Sequence, residues 1–389
     1  MPELPRGWYA RTLEEVATLQ RGFDLPVQHR KAGCVPVVAS NGPVGTHIEA
    51  PVKGPGVVTG RSGTIGKVFY YDDDFWPLNT TLYVKDFHGN DPKFVAVLLE
   101  HLQLDRFAEA TGVPSLNRNT VHPIPVFVPP LPEQRKIAAI LSSVDDSIGR
   151  TEAVIEQLEV VRQGLLGELL TRGVPGRHTE FAETEVGPIP TGWTVVGLFD
   201  VAVIASGQVD PRKPPYRDWP LVAPNHIESG TGRLLHAETA AAQGAISGKY
   251  QFARGDVLYS KIRPYLRKAG LATTDGLCSA DMYPLRPTAL IDGSYLLAVL
   301  LSEPFTRYVV SASMRTGIPK VNREELAQYR FGLPPRDEQC EIARVLESLA
   351  SRTNREFAAL EGLRTLKAAL RNALLSGQVR VSSTDLEAA

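Results

Sequence analysis

The sequence predicts an α+β fold: two tandem α/β domains, each followed by a long α-helix. The two helices pack as an antiparallel coiled coil, and a pseudo-two-fold axis relates the halves. Three observations predict this. The stretch Pro129-Pro130-Leu131-Pro132-Glu133-Gln134-Arg135-Lys136-Ile137 returns in looser form as Pro334-Pro335-Arg336-Asp337-Glu338-Gln339-Cys340-Glu341-Ile342, an offset of 205. Behind each copy runs an apolar pattern stepping by four and three residues. Ahead of each copy stand matching fragments, among them Gly7-Trp8 and Gly192-Trp193. A segment this long that recurs in this order means a duplicated unit.

The first domain spans 1–130. Short apolar runs at Val35–Val38, Gly56–Val58 and Gly66–Tyr71 read as strands, and Val126–Val128 as a closing strand. Phe94 to Phe107 has helical spacing, whereas Gly112–Asn119 is a loop by composition. The first long helix spans 131–172. Its seam is Ile137, Leu141, Val144, Ile148, Thr151, Ile155, Leu158, Arg162, Leu165 and Leu169. A sustained period of 3.5 marks a coiled-coil seam. Pro132 suits a first turn and Gly173 a stop. Gly149, Gly164 and Gly167 each weaken an isolated helix by up to ~1 kcal/mol, so the helix needs a partner.

Residues 173–187, rich in Gly, Pro, Thr and Glu, read as a linker. The second domain spans 188–334 and the second helix 335–378, with a tail at 379–389. Val95–Leu99 is echoed by Leu297–Leu301, and Val113–Arg118 by Ile318–Arg323. The offset grows from 185 at the Gly-Trp openings to 205 at the junction and then holds, so the second globule carries insertions while the helices match. The second seam is Ile342, Leu346, Leu349, Thr353, Glu356, Leu360, Leu363, Lys367, Leu370 and Leu374. Matching seams make the helices each other's partners. A globule of this size has a radius of gyration of about 15 Å, narrower than a helix of about 57 Å. The second helix therefore starts at the far end of the first and runs back.

Composition sets limits. The chain has 389 residues, 43% hydrophobic and 22% charged, which suits two or three domains. No apolar run approaches the ~20 residues that cross a bilayer, and residues 1–6 carry no targeting pattern. A cytoplasmic protein without membrane association is expected. Cys34, Cys278 and Cys340 lie too far apart for a disulfide framework or a metal cluster, and reduced thiols are the plain reading. The net charge of −1 argues against coating nucleic acid by bulk charge, and leaves local basic patches open.

Several motifs fail on chemistry. Gly60–Lys67 has five residues between Gly60 and Gly66 where a phosphate loop has four, and Val68 stands in place of the Mg²⁺-binding hydroxyl. Pro214-Pro215-Tyr216 follows Lys213, where an amino-methyltransferase needs an Asn or Asp acceptor. The histidines show no metal-binding spacing, and Asp72-Asp73-Asp74 reads as a solvated turn. No catalytic residue, metal site or bound cofactor is expected in this chain.

Basic loops remain. Lys249 to Lys268 holds Lys249, Arg254, Lys261, Arg263, Arg267 and Lys268 against Asp256 alone, with tyrosines interleaved. The first copy has Arg61 and Lys67 in the corresponding stretch. Asn117-Arg118-Asn119 and Lys320-Val321-Asn322-Arg323 occupy equivalent loops. Such residues neutralise phosphates, and Arg or Asn can read guanine or adenine edges. The DNA-binding candidates are therefore Arg61, Lys67, Asn117, Arg118, Asn119, Lys261, Arg263, Arg267, Lys268, Lys320, Asn322 and Arg323.

The junction at 129–137, its looser copy, the Gly-Trp openings, Gly63–Val68 and the order globule–helix–globule–helix together resemble one family, the DNA-specificity subunit of type I restriction-modification systems. The resemblance covers essentially the whole chain. It implies two target-recognition domains that each read one half of a split double-stranded DNA site. It implies helices that act as a spacer and as a docking surface for two modification subunits, which hold S-adenosylmethionine and methylate adenine. Restriction subunits are further partners in the family. Two other readings stay open from the sequence: a coiled-coil scaffold that binds protein and not DNA, and the recognition subunit of a related fused or two-subunit restriction enzyme.

Overall fold

A computed structural model describes residues 5–109, 112–205, 207–313 and 319–381. Leu4 and Ile318 of the repeated fragments and residues 382–389 of the tail lie outside them. The first half runs β1 (Tyr9–Thr12), α1 (Leu13–Val16), β2 (Thr18–Arg21), β3 (Val35–Ala39), β4 (Gly42–His47), β5 (Gly56–Gly60), β6 (Val68–Tyr71), β7 (Trp76–Pro77), β8 (Thr81–Asp86), α2 (Pro92–Leu102), α3 (Arg118–Val121), β9 (Pro125–Val128) and the long α4 (Leu131–Arg172). The second runs β10 (Phe181–Thr184), β11 (Gly187–Pro190), β12 (Thr194–Gly197), α5 (Leu198–Val201), β13 (Ala202–Ile204), β14 (Gln208–Val209), β15 (Leu221–Val222), β16 (Lys249–Phe252), β17 (Val257–Ser260), β18 (Ala269–Leu271), β19 (Gly276–Cys278) and β20 (Met282–Pro287). It closes with α6 (Gly293–Leu301), α7 (Glu303–Ala312), α8 (Arg323–Ala327), β21 (Arg330–Leu333) and the long α9 (Arg336–Leu375).

The chain divides into two compact units. One takes residues up to Glu152 and from Ala359 onward; the other takes Ala153–Ala358. Each unit therefore joins one globule to the start of its own long helix and the end of the other. Start meets end in both units, which is an antiparallel pairing. The seam is buried or half-buried at every apolar position predicted: Ile137, Leu141, Ile155, Leu158, Leu169, Ile342, Leu360 and Leu374 are buried, and Val144, Ile148, Leu165, Leu346, Leu349, Leu363 and Leu370 half-buried.

In the first unit an antiparallel sheet has the order β2-β8-β5-β6, β1 pairs with β9, and a small sheet β4-β3-β7 sits beside them. Phe94, Leu98 and Leu99 of α2 join Leu13, Leu19, Leu82, Ile137, Leu141 and Leu374 in one core. The second unit repeats this order as β13-β20-β17-β18 and β12-β21, with β14-β16-β19-β15 as its small sheet. Tyr295 and Phe305, both 1% exposed or less, anchor its core. Burying an aromatic side chain of this size stabilises a fold by about 2–3 kcal/mol.

The repeated junction has a specific chemistry. Glu133 accepts from the Trp8 indole Nε1 at 3.1 Å, and Glu338 accepts from Trp193 Nε1 at 3.0 Å. Gln134 takes the Asp91 N–H at 2.9 Å and donates to the Pro129 carbonyl at 2.9 Å. Gln339 takes the Asp292 N–H at 2.8 Å and donates to the Pro334 carbonyl at 2.9 Å. Asp91 and Asp292 in turn cap α2 and α6. Glu-Gln thus ties the helix start to the globule's opening Trp and to its main helix. A basic residue past the other helix's end completes each junction. Arg380 grips Glu133 with both nitrogens, at 2.8 and 2.9 Å, while His178 meets Glu338 at 2.7 Å. Burial works to raise the Glu133 pKa, but the hydrogen bonds from Arg380 and Trp8 outweigh it and hold the carboxyl below the usual range.

Three sequence readings need correcting. The 173–187 stretch is not a plain linker, because β10 and β11 form a hairpin across its end. The Gly112–Asn119 loop runs into α3, whose first turn Asn117 caps by accepting from Asn119 N at 3.0 Å. The helical spacing of Phe94–Phe107 breaks after Leu102, where Gln103 turns left-handed at φ 49°. Among the described residues no helix is long and apolar enough to cross a membrane.

Candidate nucleic-acid interface

Two loops far apart in sequence are zipped together in each unit, by the same bonds. In the first, Gly63 N donates to Pro114 O at 3.0 Å and Leu116 N to Arg61 O at 2.7 Å. In the second, Arg263 N donates to Pro319 O at 2.8 Å and Val321 N to Lys261 O at 2.9 Å. The loop after β5 or β17 carries Arg61 or Lys261. The loop before α8 carries Lys320, and α3 and α8 open on Arg118 and Arg323. Tertiary pairing thus brings together basic residues that the sequence offered separately.

In the first unit the junction floors an open cleft of about 800 Å³. Arg61, Asn117 and Arg118 line it beside Gln20, Arg21, Asp24 and Glu109. Gln20 and Arg21 come from β2 and carry no local motif. Arg61 is partly held, its Nη1 donating to the Asn79 carbonyl at 3.3 Å. Arginine and asparagine suit guanine and adenine edges, and a carboxylate accepts from the cytosine amino group. Lys67 and Asn119 are exposed but line no part of this cleft.

In the second unit the cations gather round Tyr283. Lys261 Nζ lies 5.0 Å from the ring centroid and the Arg323 guanidinium 5.8 Å from it. Lys261 is only 9% exposed. Burial lowers its pKa first, and the charges of Lys320 and Arg323 lower it further, with Asp281 opposing them. Asp256, the lone acid of that stretch, is held by Arg286 through two bonds of 2.9 Å. Among the described residues Lys261, Arg263, Lys320 and Arg323 make no ion pair. Arg263 stands exposed at a left-handed turn, φ 49°.

Three of the predicted residues are hydrogen-bonded within the chain. Arg267 is half-buried and donates to Gln163 Oε1 at 2.8 Å and to the Leu301 carbonyl. Lys268 Nζ donates to the Pro224 carbonyl at 2.7 Å. Asn322 caps α8, taking the Glu325 N–H at 2.8 Å. Lys249 also turns inward, onto Ser247. A count of cations could not tell Arg267 and Lys268 from the ones facing solvent, because Gln163 and the Pro224 carbonyl lie 104 and 44 residues away. Tyr283, the ring that organises the cluster, carries no repeat signal, because it aligns with Leu82 of the first copy.

Comparison with known proteins agrees with this architecture. The family described as the type I restriction modification DNA specificity domain matches residues 5–160 and 190–361. The chain belongs to this family. The two matched stretches coincide with the two globule-plus-helix halves. The specificity subunit of the type I restriction enzyme EcoDI from Escherichia coli is 33% identical over 258 residues, 61% of this chain. The match spans 57% of that relative's length. The MjaVIII specificity subunit of Methanocaldococcus jannaschii is 27% identical over 307 residues, 75% of this chain and 70% of that one. Among solved structures, the S subunit of a type I restriction-modification system from M. genitalium aligns with a TM-score of 0.63 at 13% identity. That alignment covers 96% of this chain and 98% of that one. A second, from work on assembly and conformational transition of a type I R-M system, gives 0.56 at 17% identity, over 97% and 100%. At these identities the shared property is the specificity-domain fold.

Proposed function

We propose that this chain is the sequence-specific DNA-binding specificity subunit of a type I restriction-modification complex. Each domain reads one half of a bipartite site in double-stranded DNA. The long helices hold the gap between the halves and dock two modification subunits. One observation carries the reading: the same two loops, joined by the same two backbone bonds, bring cations that make no ion pair among the described residues to equivalent places in both domains. Clustered cations raise each other's energy until an anion arrives, and a duplex presents phosphates at regular intervals. Side chains beside them, such as Asn117 and Gln20, then reach base edges.

The chain supplies recognition and spacing. Adenine methylation, the S-adenosylmethionine it consumes and the extrusion of the target base belong to the modification subunits. Restriction subunits join the same cytoplasmic assembly. The test is to express the chain with its modification subunit and map modified adenines. One bipartite sequence with a fixed gap is expected. Absence of methylation at every sequence, with a competent modification subunit, overturns the reading. Arg263→Ala then weakens recognition of one half-site; equal loss at both halves contradicts the modular assignment. A protein-binding scaffold would show no salt-dependent binding to duplex DNA.

A further inference from the structure

The second domain carries more chain than the first ahead of its zipped loop. The offset is 185 at Trp8 and Trp193 and 200 at the aligned residues Arg61 and Lys261. Part of the added chain, around Gly230, reaches the long helices within its own unit. Arg162 occupies a seam position of α4 and is 6% exposed. Its guanidinium donates to Glu159 at 3.0 Å and to the Gly230 carbonyl. Gly230 N donates onward to the Arg267 carbonyl at 3.0 Å. Arg267 sits at φ 50°, and this left-handed turn points its side chain back to Gln163 of α4 and to the C-terminal carbonyl of α6, Leu301. Arg233, paired with Glu228 at 2.9 and 3.0 Å, places its guanidinium 5.8 Å from the Phe357 ring of α9.

The first unit fills the corresponding helix position differently. Lys367 aligns with Arg162 at the seam offset of 205. It pairs with Asp145 at 2.7 Å and faces Glu100 of α2 at 3.7 Å. Here the cation is a lysine ammonium, a point charge on a flexible stem. In the second unit a buried, planar guanidinium is aimed at fixed backbone carbonyls, an arrangement with little angular freedom. Burial first, and then the charge of Arg162, lowers the Arg267 pKa, as befits a desolvated cation held by geometry.

We infer that Arg267, acting through Gln163, Gly230 and Arg162, is a positioning residue: a strut that fixes the pitch of the second domain on its helices and so sets how strictly the gap between half-sites is enforced. The inference rests on the function proposed above. Arg267 touches no DNA; it determines where the Lys261–Arg323 face is presented. Its loss widens the range of tolerated gaps and leaves the bases read in each half unchanged.

The experiment uses the full chain with its modification subunit and a duplex library. Half-sites are held constant while the gap varies by up to two base pairs, and a parallel set randomises one half-site. For Arg267→Ala the preference for the native gap over its neighbours drops about tenfold, while half-site base preferences and the salt dependence of binding stay as in the unaltered protein. Gln163→Met removes one strut bond and gives a smaller drop, about threefold. Should Arg267→Ala fail to fold, as a melt would reveal, Gln163→Met decides the matter. An unchanged gap preference in the folded variants overturns the inference. So does a changed base preference or a weaker salt dependence in Arg267→Ala, either of which would make Arg267 a DNA contact. If the unaltered chain methylates no bipartite site, the parent reading has failed and not the strut alone.

Discussion

Lys261 gives the sharpest opposition between stability and binding. The residue is only 9% exposed. It contacts the Tyr283 ring at 5.0 Å and lies in the fields of Lys320 and Arg323. Consider Lys261→Met, which keeps the stem's volume and removes the charge. The folded protein loses a cation–π contact of about 0.5–1 kcal/mol. It is also relieved of desolvating a cation beside two others, a relief of about 1.4 kcal/mol for each pKa unit the group is depressed. Burial and the like charges of Lys320 and Arg323 oppose the cation–π contact in the free protein, with Asp281 partly offsetting them. The variant should therefore melt at the same temperature as the parent or higher. DNA binding moves the other way. One phosphate contact fewer reduces the slope of log K against log salt by about 0.9, so affinity at 50 mM relative to 200 mM salt changes by about 3.5-fold less than in the parent. Fluorescence anisotropy with a labelled duplex at four salt concentrations, paired with a thermal melt, reads both quantities. A variant that melts lower while keeping the parent's salt slope refutes the reasoning, because Lys261 would then be a structural cation.

Trp193→Phe removes one donor from Glu338, which is fully buried; a loss of about 1–3 kcal/mol in a denaturant melt is expected, and no loss would show that His178, the Val174 N–H and Arg177 satisfy the carboxylate without the indole. The His122 imidazole, buried and accepting the Leu19 N–H at 3.0 Å, has its pKa lowered by burial, with Glu14 opposing. A depressed histidine favours the fold only while neutral. Its contribution is present above a pH of about 6.5 and is lost as pH falls toward the folded value. The unfolding midpoint of the parent should drop between pH 7 and 5.5 more steeply than that of His122→Gln. Equal slopes would place the acid sensitivity elsewhere.

Much of the architecture was legible in the residues. The two-copy plan and the seam from Ile137 to Leu169 rest on local periodicity, and a buried stripe at a 3.5-residue period has one stable use, another stripe like it. The antiparallel order followed from linker length and globule size. The Glu-Gln pair was visible as a repeat but not as a clamp, because its partners Trp8 and Trp193 stand 125 and 145 residues away.

The candidate interface was only half legible. Sequence singled out the two loops of each domain, and the fold joined them. It could not sort the cations within them. Arg263 and Arg267 are four residues apart, of one type, each at a left-handed turn. One faces solvent; the other points into its own unit because Gln163 and the Leu301 carbonyl lie there. Residue type and spacing determine helices, seams and repeats, since those forces act over a few residues. That Arg263 stays in solvent while Arg267 braces the fold is decided by Gln163, 104 residues from Arg267, and by the Leu301 carbonyl, 34 away, and only tertiary packing brings them within hydrogen-bonding distance.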